Sequence, residues 1–174
     1  MVRFPFLIAV LVTFLAACAP PSGGVGTSDD GTRVYRINTR DTAEIQFRML
    51  DSVNSLREAR GLTQLELSSE LNAAAATHSR DMAVQNRPWH FGSDGSSPID
   101  RVRRVGFNGL LVGENISETY ETELETLAAW MELRDTRDII LAREARTMGF
   151  AWFQEPAGKI WWTLIVGGDP GRSS

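Results

Sequence analysis

Few side chains in this chain can do acid–base, nucleophilic or metal chemistry, and their spacing limits what they do. There are two histidines, His78 and His90, and a single cysteine, Cys18. One thiol alone makes no intramolecular disulfide and no cysteine-based metal cluster. His78 falls at helical spacing with Leu71, Ala75 and Met82. It reads as a buried neutral imidazole hydrogen-bonded to a neighbouring segment rather than as a ligand. His90 stands in the run Trp89-His90-Phe91-Gly92-Ser93-Asp94-Gly95-Ser96-Ser97, whose glycines suggest a phosphate cradle leading into a helix. No lysine follows as in a P-loop, and no strand clearly precedes, so a tight turn plus a helix cap is the better account. No serine stands in a Gly-x-Ser-x-Gly elbow, and His-Glu-x-x-His does not occur. Arg101, Arg103 and Arg104 cluster on one helix and read as a solvated face rather than a phosphate patch.

Cys18 points to different chemistry. It follows Leu15-Ala16-Ala17, at the end of an apolar stretch from Phe4 to Phe14 preceded by one positive charge, Arg3. That is the layout of a signal peptide. The stretch is shorter than the roughly 20 apolar residues that cross a bilayer core, and no later segment approaches that length. Leu15 to Cys18 resembles the lipobox of bacterial lipoproteins. The resemblance implies cleavage before Cys18 and a covalent diacylglyceryl and acyl lipid on it, with no other cofactor. Two acyl chains give a durable membrane anchor, since each buried methylene adds about 0.8 kcal/mol. Ala19 replaces the aspartate that typically retains lipoproteins in the inner membrane. That places the chain in the cell envelope, on the periplasmic face of the outer membrane in a diderm host. The net charge of −4 argues against a nucleic-acid binder.

The elements that position these residues follow from periodicity. Residues 1–17 form the signal peptide, and residues 18–40, rich in Pro, Gly, Ser and Thr, a lipidated flexible tether. Residues 41–168 form one domain, and residues 169–174 a tail. Asp41 and Glu44 mark a helix start, with Ile45, Met49, Val53 and Leu56 inward and Gly61 beyond the end. A second helix opens at Ser68 or Ser69 and runs to about Asn86. A third starts at Ser97-Pro98-Ile99-Asp100 and stops at Gly106. A fourth spans about Glu121 to Leu133, with Leu124, Leu127, Ala128 and Met131 inward. Thr147 to Gln154 and Lys159 to Gly167 read as two strands around a turn, apolar on both faces. Such strands are covered on both sides, which gives a three-layer α/β/α sandwich.

Four segments carry a further signal: Leu71 to Ala83, Trp89 to Val102, Gly113-Glu114-Asn115-Ile116 and Ala129-Trp130-Met131. In this order and spacing they resemble the bacterial branch of the CAP superfamily, the SCP-like cysteine-rich secretory, antigen and pathogenesis-related proteins. The resemblance implies the same α/β/α sandwich, with a central, mainly antiparallel sheet, and a cleft lined by two histidines and acidic residues. It makes His90 the first cleft histidine and Glu114 the first cleft carboxylate, with Trp89 beside them. An imidazole next to a carboxylate binds a divalent metal or works as an acid/base pair. The run after Trp130 departs from the family, and aligned on Trp130, Arg137 and Leu141 the second histidine has become Thr136. A hydroxyl is a poor zinc ligand. His90 and Glu114 are therefore two candidate metal ligands where a zinc site needs three or four.

Two accounts of His90 and Glu114 stand open: side-chain bonds that hold the loop from Phe91 to Ser97, or contact with a ligand. The leading expectation is a non-enzymatic envelope lipoprotein that binds a lipid, a small molecule or an envelope protein. The alternatives are a metal-assisted or Ser/His hydrolase of the envelope, and a structural envelope protein.

Overall fold

The computed structural model describes residues 24–27 and 33–171. The signal peptide, the lipobox with Cys18, and residues 172–174 lie outside the described residues. No described helix is long and apolar enough to cross a membrane. A short antiparallel pair, β1 (Gly24–Thr27) and β2 (Arg33–Arg36), precedes a 3₁₀ turn at Thr39–Asp41 and helix α1 (Thr42–Glu58). Then come β3 (Glu66–Leu67), α2 (Ser69–Gln85), α3 (Pro98–Arg104) and β4 (Leu110–Ser117). The chain continues with α4 (Glu123–Glu132), α5 (Arg134–Ile140), β5 (Ala145–Gln154) and β6 (Ile160–Gly168).

The main sheet has the order β3-β5-β6-β4, with β3 parallel to β5 and the other pairs antiparallel. Helices α1, α4 and α5 cover one face. Their Ile45, Met49, Val53, Leu127, Trp130 and Ile140 join a cluster with Phe150, Trp162, Leu164 and Val166 of the sheet. On the other face α2 and α3 bring Leu71, Ala74, Ala75 and Val102 against Ala151 and Ile165. The expected α/β/α sandwich and its mainly antiparallel sheet are what is found. Both central strands bury both faces, which explains their continuous apolar runs.

Several local expectations need correction. The ordered chain does not begin at 41. Tyr35 and Ile37 pack against the core, and Arg36 donates to the carbonyls of Glu155 and Pro156. The stretch expected to be tether thus carries apolar groups that gain by burial. Asp41 makes no cap bond to α1; Asn38 instead accepts from the Arg40 N–H at 3.0 Å and starts the 3₁₀ turn. In α4, Leu124 and Ala128 are exposed, because the Thr122/Glu125 capping box sets the helix so that Glu123, Thr126, Leu127 and Trp130 face inward. Strands β3 and β4 and helix α5 have no counterpart in the sequence pattern.

Candidate functional site

Glu114 lies in β4 opposite Ile165 of β6. Directly paired residues share a face, so the Glu114 side chain enters the layer of α2 and α3, where it is 1% exposed. A buried carboxylate must be paired and hydrogen-bonded. Arg101 of α3 provides this: its Nη2 stands 3.2 and 3.1 Å from the two carboxylate oxygens. The same nitrogen donates to the His90 carbonyl at 2.9 Å. The arginine is therefore not on a solvated face, as its sequence setting suggested; it is buried and joins the loop to the sheet.

The structure brings His90 and Glu114 together, with His90 Nδ1 3.0 Å from Glu114 Oε1. The His90 side chain is 50% exposed. With Nδ1 against the carboxylate, Nε2 is the nitrogen left for solvent or a ligand. His78 approaches from below. It is fully buried, as expected, but its Nε2 is 3.5 Å from the same Oε1, too long for a hydrogen bond. Neither of its ring nitrogens has a hydrogen-bond partner among the described residues, so the hydrogen bond expected for it is not made. Burial lowers the His78 pKa below the ordinary histidine value, against the opposing pull of Glu114. It stands as a neutral imidazole at neutral pH.

The loop after His90 is held from α2 and α3 and by a bond of its own. Asp81, one turn beyond His78 on α2, accepts from the Ser93 N–H at 2.7 Å and from its hydroxyl at 2.6 Å. Asp94 accepts from the Ser96 N–H at 2.9 Å and pairs with Arg104 at 2.5 Å. These bonds hold the Asp94 carboxyl far below the usual range. A Cβ at Gly92 would stand 2.6 Å from Ser96 Oγ and 2.7 Å from Asp94 Oδ1, so a larger residue would displace the side chains that make these loop bonds. A pocket of about 410 Å³ lies beside this loop, lined by His78, Asp81, Ser93, Ser96, Arg101 and Arg104 among others. The capping box at Ser97 and Asp100 then fixes where α3 begins.

Thr136 is placed elsewhere, and Trp89, next to His90 in the chain, takes its hydrogen bond and ring contacts from Gln85, Arg87 and Phe91. The Thr136 hydroxyl donates to the Trp130 carbonyl at 2.6 Å, closing the corner between α4 and α5. Its carbonyl accepts from Asn115, whose side chain leaves β4 on the face opposite to Glu114. Neither His90 nor Glu114 is among its hydrogen-bond partners. Trp89 donates to Gln85 at 2.7 Å and lies between Arg87, 3.8 Å over its ring, and Phe91, with ring centroids 5.4 Å apart. Among the described residues no group of three or more His, Cys, Asp or Glu is set to hold a metal ion.

Sequence reasoning missed Arg101, Asp81 and the approach of His78 to Glu114. Asp81 had a signal: it lies three residues beyond His78, one helical turn on the same side. The model of the cysteine-rich secretory protein family, CAP, matches residues 50–166, a span that includes every residue of this site. The chain belongs to the CAP family. The CAP domain is 28% identical over 120 residues to the protein YkwD of Bacillus subtilis, covering 69% of this chain and 46% of that protein. The chain therefore spans about half the length of that curated relative. Among solved structures it resembles an outer surface protein of Borrelia burgdorferi, with TM-score 0.68 and 16% identity over 76% of this chain and 96% of that one. An extracellular protein of Bacillus anthracis containing an SCP domain follows, with TM-score 0.66 and 20% identity over 78% of this chain and 46% of the other. At these identities the two structures speak for the fold alone.

Proposed function

We propose that this chain is a cell-envelope lipoprotein, anchored by lipid on Cys18, whose CAP domain is a non-enzymatic binding module. His90, with Trp89 nearby, offers the exposed contacts for a lipid, small molecule or envelope protein, and Glu114 works from beneath to orient His90. The observation that carries this reading is the pairing of both Glu114 carboxylate oxygens with the buried Arg101, with His90 on Oε1. That charge pairing competes with a metal for the carboxylate, and Thr136, bonded to the Trp130 carbonyl, adds no third ligand. The outer-surface and extracellular relatives accord with an exported protein.

One observation favours the hydrolytic alternative: a carboxylate on Nδ1 that leaves Nε2 outward is the arrangement of an oriented general base. Zinc titration by calorimetry on the mature full-length chain separates the binding module from metal-assisted hydrolysis, and an ester-hydrolysis assay of the wild type against His90→Gln separates it from a metal-free general base. The binding module shows no saturable one-to-one zinc site. Tight binding that is abolished by His90→Gln would overturn the proposal and restore metal-assisted hydrolysis. Mass spectrometry of what co-purifies with the lipidated protein then identifies the ligand.

A further inference from the structure

The sheet edge remote from Glu114 has an unfilled pairing position. Strand β3 spans only Glu66–Leu67 and pairs with Thr147 and Met148, after which Ser68 caps α2 and the chain turns away. Beyond Met148, β5 has no strand on that side among the described residues. Its orientation there follows from three bonds. The Met148 carbonyl accepts from the Ser68 N–H at 2.9 Å, the Phe150 N–H donates to Asn72 Oδ1 at 2.7 Å, and the Phe150 carbonyl accepts from Gln46 at 2.8 Å. Alternate residues of a strand direct their main-chain groups to the same side. The N–H and C=O of Trp152 therefore point to the open edge as well. At Gln154 the edge is closed again, because its side chain accepts from the Ile37 N–H at 3.0 Å and donates to the Tyr35 carbonyl at 2.7 Å.

Natural sheets block their open edges because unpaired N–H and C=O groups are a template for another chain. Here side chains block the edge at Phe150 and the segment 35–37 blocks it at Gln154. Between them no described residue bonds the Trp152 main chain. A pocket of about 430 Å³ opens at this point, lined by Ile37, Thr42, Gln46, Ala73, Ala76 and Trp152 among others. Ala73 and Ala76 leave the space on the α2 side, and no lining residue is charged.

We propose that this pocket docks an extended, uncharged peptide segment of a partner protein, one residue of which pairs with the N–H and C=O of Trp152. An aliphatic chain would fit against Ile37, Ala73, Ala76 and Trp152 but leave two main-chain groups covered without partners, an uncompensated loss of hydration. One residue of an extended peptide presents an N–H and a C=O on the same side, and meets both. Its neighbours' side chains then alternate between the α1 and α2 walls. The site is separate from His90 and does not depend on the function assigned there.

The test is an NMR titration of the isotope-labelled mature chain. The probe is a pool of acetylated, amidated five-residue peptides, Thr-Val-x-Val-Thr with x varied, alongside the same pool N-methylated at x. The Trp152 amide is expected to shift and to gain about tenfold protection from hydrogen exchange with the first pool only, since methylation removes one hydrogen bond. Ala76→Leu, an exposed position on α2 that fills the pocket, is expected to weaken binding by about tenfold with the remaining spectrum retained. No change at Trp152, or an equal response to the methylated pool, overturns the proposal. A response to decanoate without one to the peptides also overturns it and assigns the pocket to an aliphatic ligand.

Discussion

A single nitrogen of Arg101, Nη2, lies 3.2 and 3.1 Å from the two carboxylate oxygens of Glu114, with both side chains almost wholly buried. An ion pair so placed loses hydration on both sides, and its net contribution depends on both partners being present. Arg101→Ala should destabilise the domain by about 3–5 kcal/mol, because it strands a buried carboxylate. The double change Arg101→Met with Glu114→Leu should recover most of that loss. Denaturant titration of the two variants decides it; equal losses would mean that the pair is a packing element and not an electrostatic one.

Trp162 is fully buried and stacks on Phe150, with ring centroids 5.5 Å apart and planes 8° from parallel. Its indole N–H donates to the Tyr120 carbonyl at 2.8 Å. Trp162→Ala removes the ring and leaves a cavity between the sheet and the α1 layer. A loss of about 3–5 kcal/mol is expected from a large-to-small change of this kind. A loss below about 1 kcal/mol in the same titration would mean that the site collapses freely.

Gly149 is where α2 presses on β5. A Cβ there would stand 2.1 Å from the Leu71 carbonyl carbon and 2.4 Å from the Asn72 nitrogen, both main-chain atoms. Main chain cannot rotate away as a side chain does, so Gly149→Ala must push the helix off the sheet. Overpacking of this kind costs about 1–3 kcal/mol or more. Because Asn72 holds the Phe150 N–H, the variant should also lose hydrogen-exchange protection at Phe150. A melting temperature equal to wild type would contradict this packing.

What was legible in the sequence follows the range of each interaction. Helical spacing showed α1, α2 and α4, start and stop residues showed α3, and apolar runs showed β5 and β6, because those signals are local. Strand β4 stayed hidden because Gly113, Glu114 and Asn115 interrupt any apolar alternation, and Glu114 is buried only by virtue of Arg101 across the layer. Helix α5 was hidden because Leu133 alone separates it from α4. His90 and Glu114 were found through resemblance, since their motifs stand in the family's order. Arg101 was misread because an arginine beside Arg103 and Arg104 has no local mark of burial. The contact between His78 and Glu114 joins α2 to β4, and no spacing rule spans those residues.

The lipid anchor is tested at Cys18, outside the described residues. The diacylglyceryl group is attached through the thiol, so Cys18→Ser should abolish labelling by a palmitate analogue and block cleavage at that position. Labelling that persists in the variant would sink the lipoprotein assignment. Recovery of wild-type protein from the inner-membrane fraction of a diderm host would contradict the outer-membrane location alone.

His78 sets the pH dependence of stability in the mildly acid range. Burial holds its folded-state pKa below the ordinary value of about 6.5, at which the unfolded chain takes up its proton. Below that pH the unfolded state binds more protons than the folded one, so stability rises with pH and falls on acidification. The loss is confined to the window between about pH 6.5 and the lowered folded value, with a slope of at most about 1.4 kcal/mol per pH unit. Glu70 has a lowered pKa through its own backbone N–H and then Ser68, and Asp94 and Asp100 have lowered values through bonds from Ser96 and Ser97. Their contributions are present above their unfolded values near 4 and are lost only below them, so they leave the window to the imidazole. His78→Gln removes the titration without removing the polar side chain. The wild-type protein should lose stability relative to this variant as pH falls from 7 to 5, and the difference between the two should be flat above pH 7.5. A difference that stays constant from pH 5 to 8 would show that His78 takes its proton as readily folded as unfolded, with Glu114 offsetting burial, and a difference that grows in favour of the wild type on acidification would show Glu114 outweighing it.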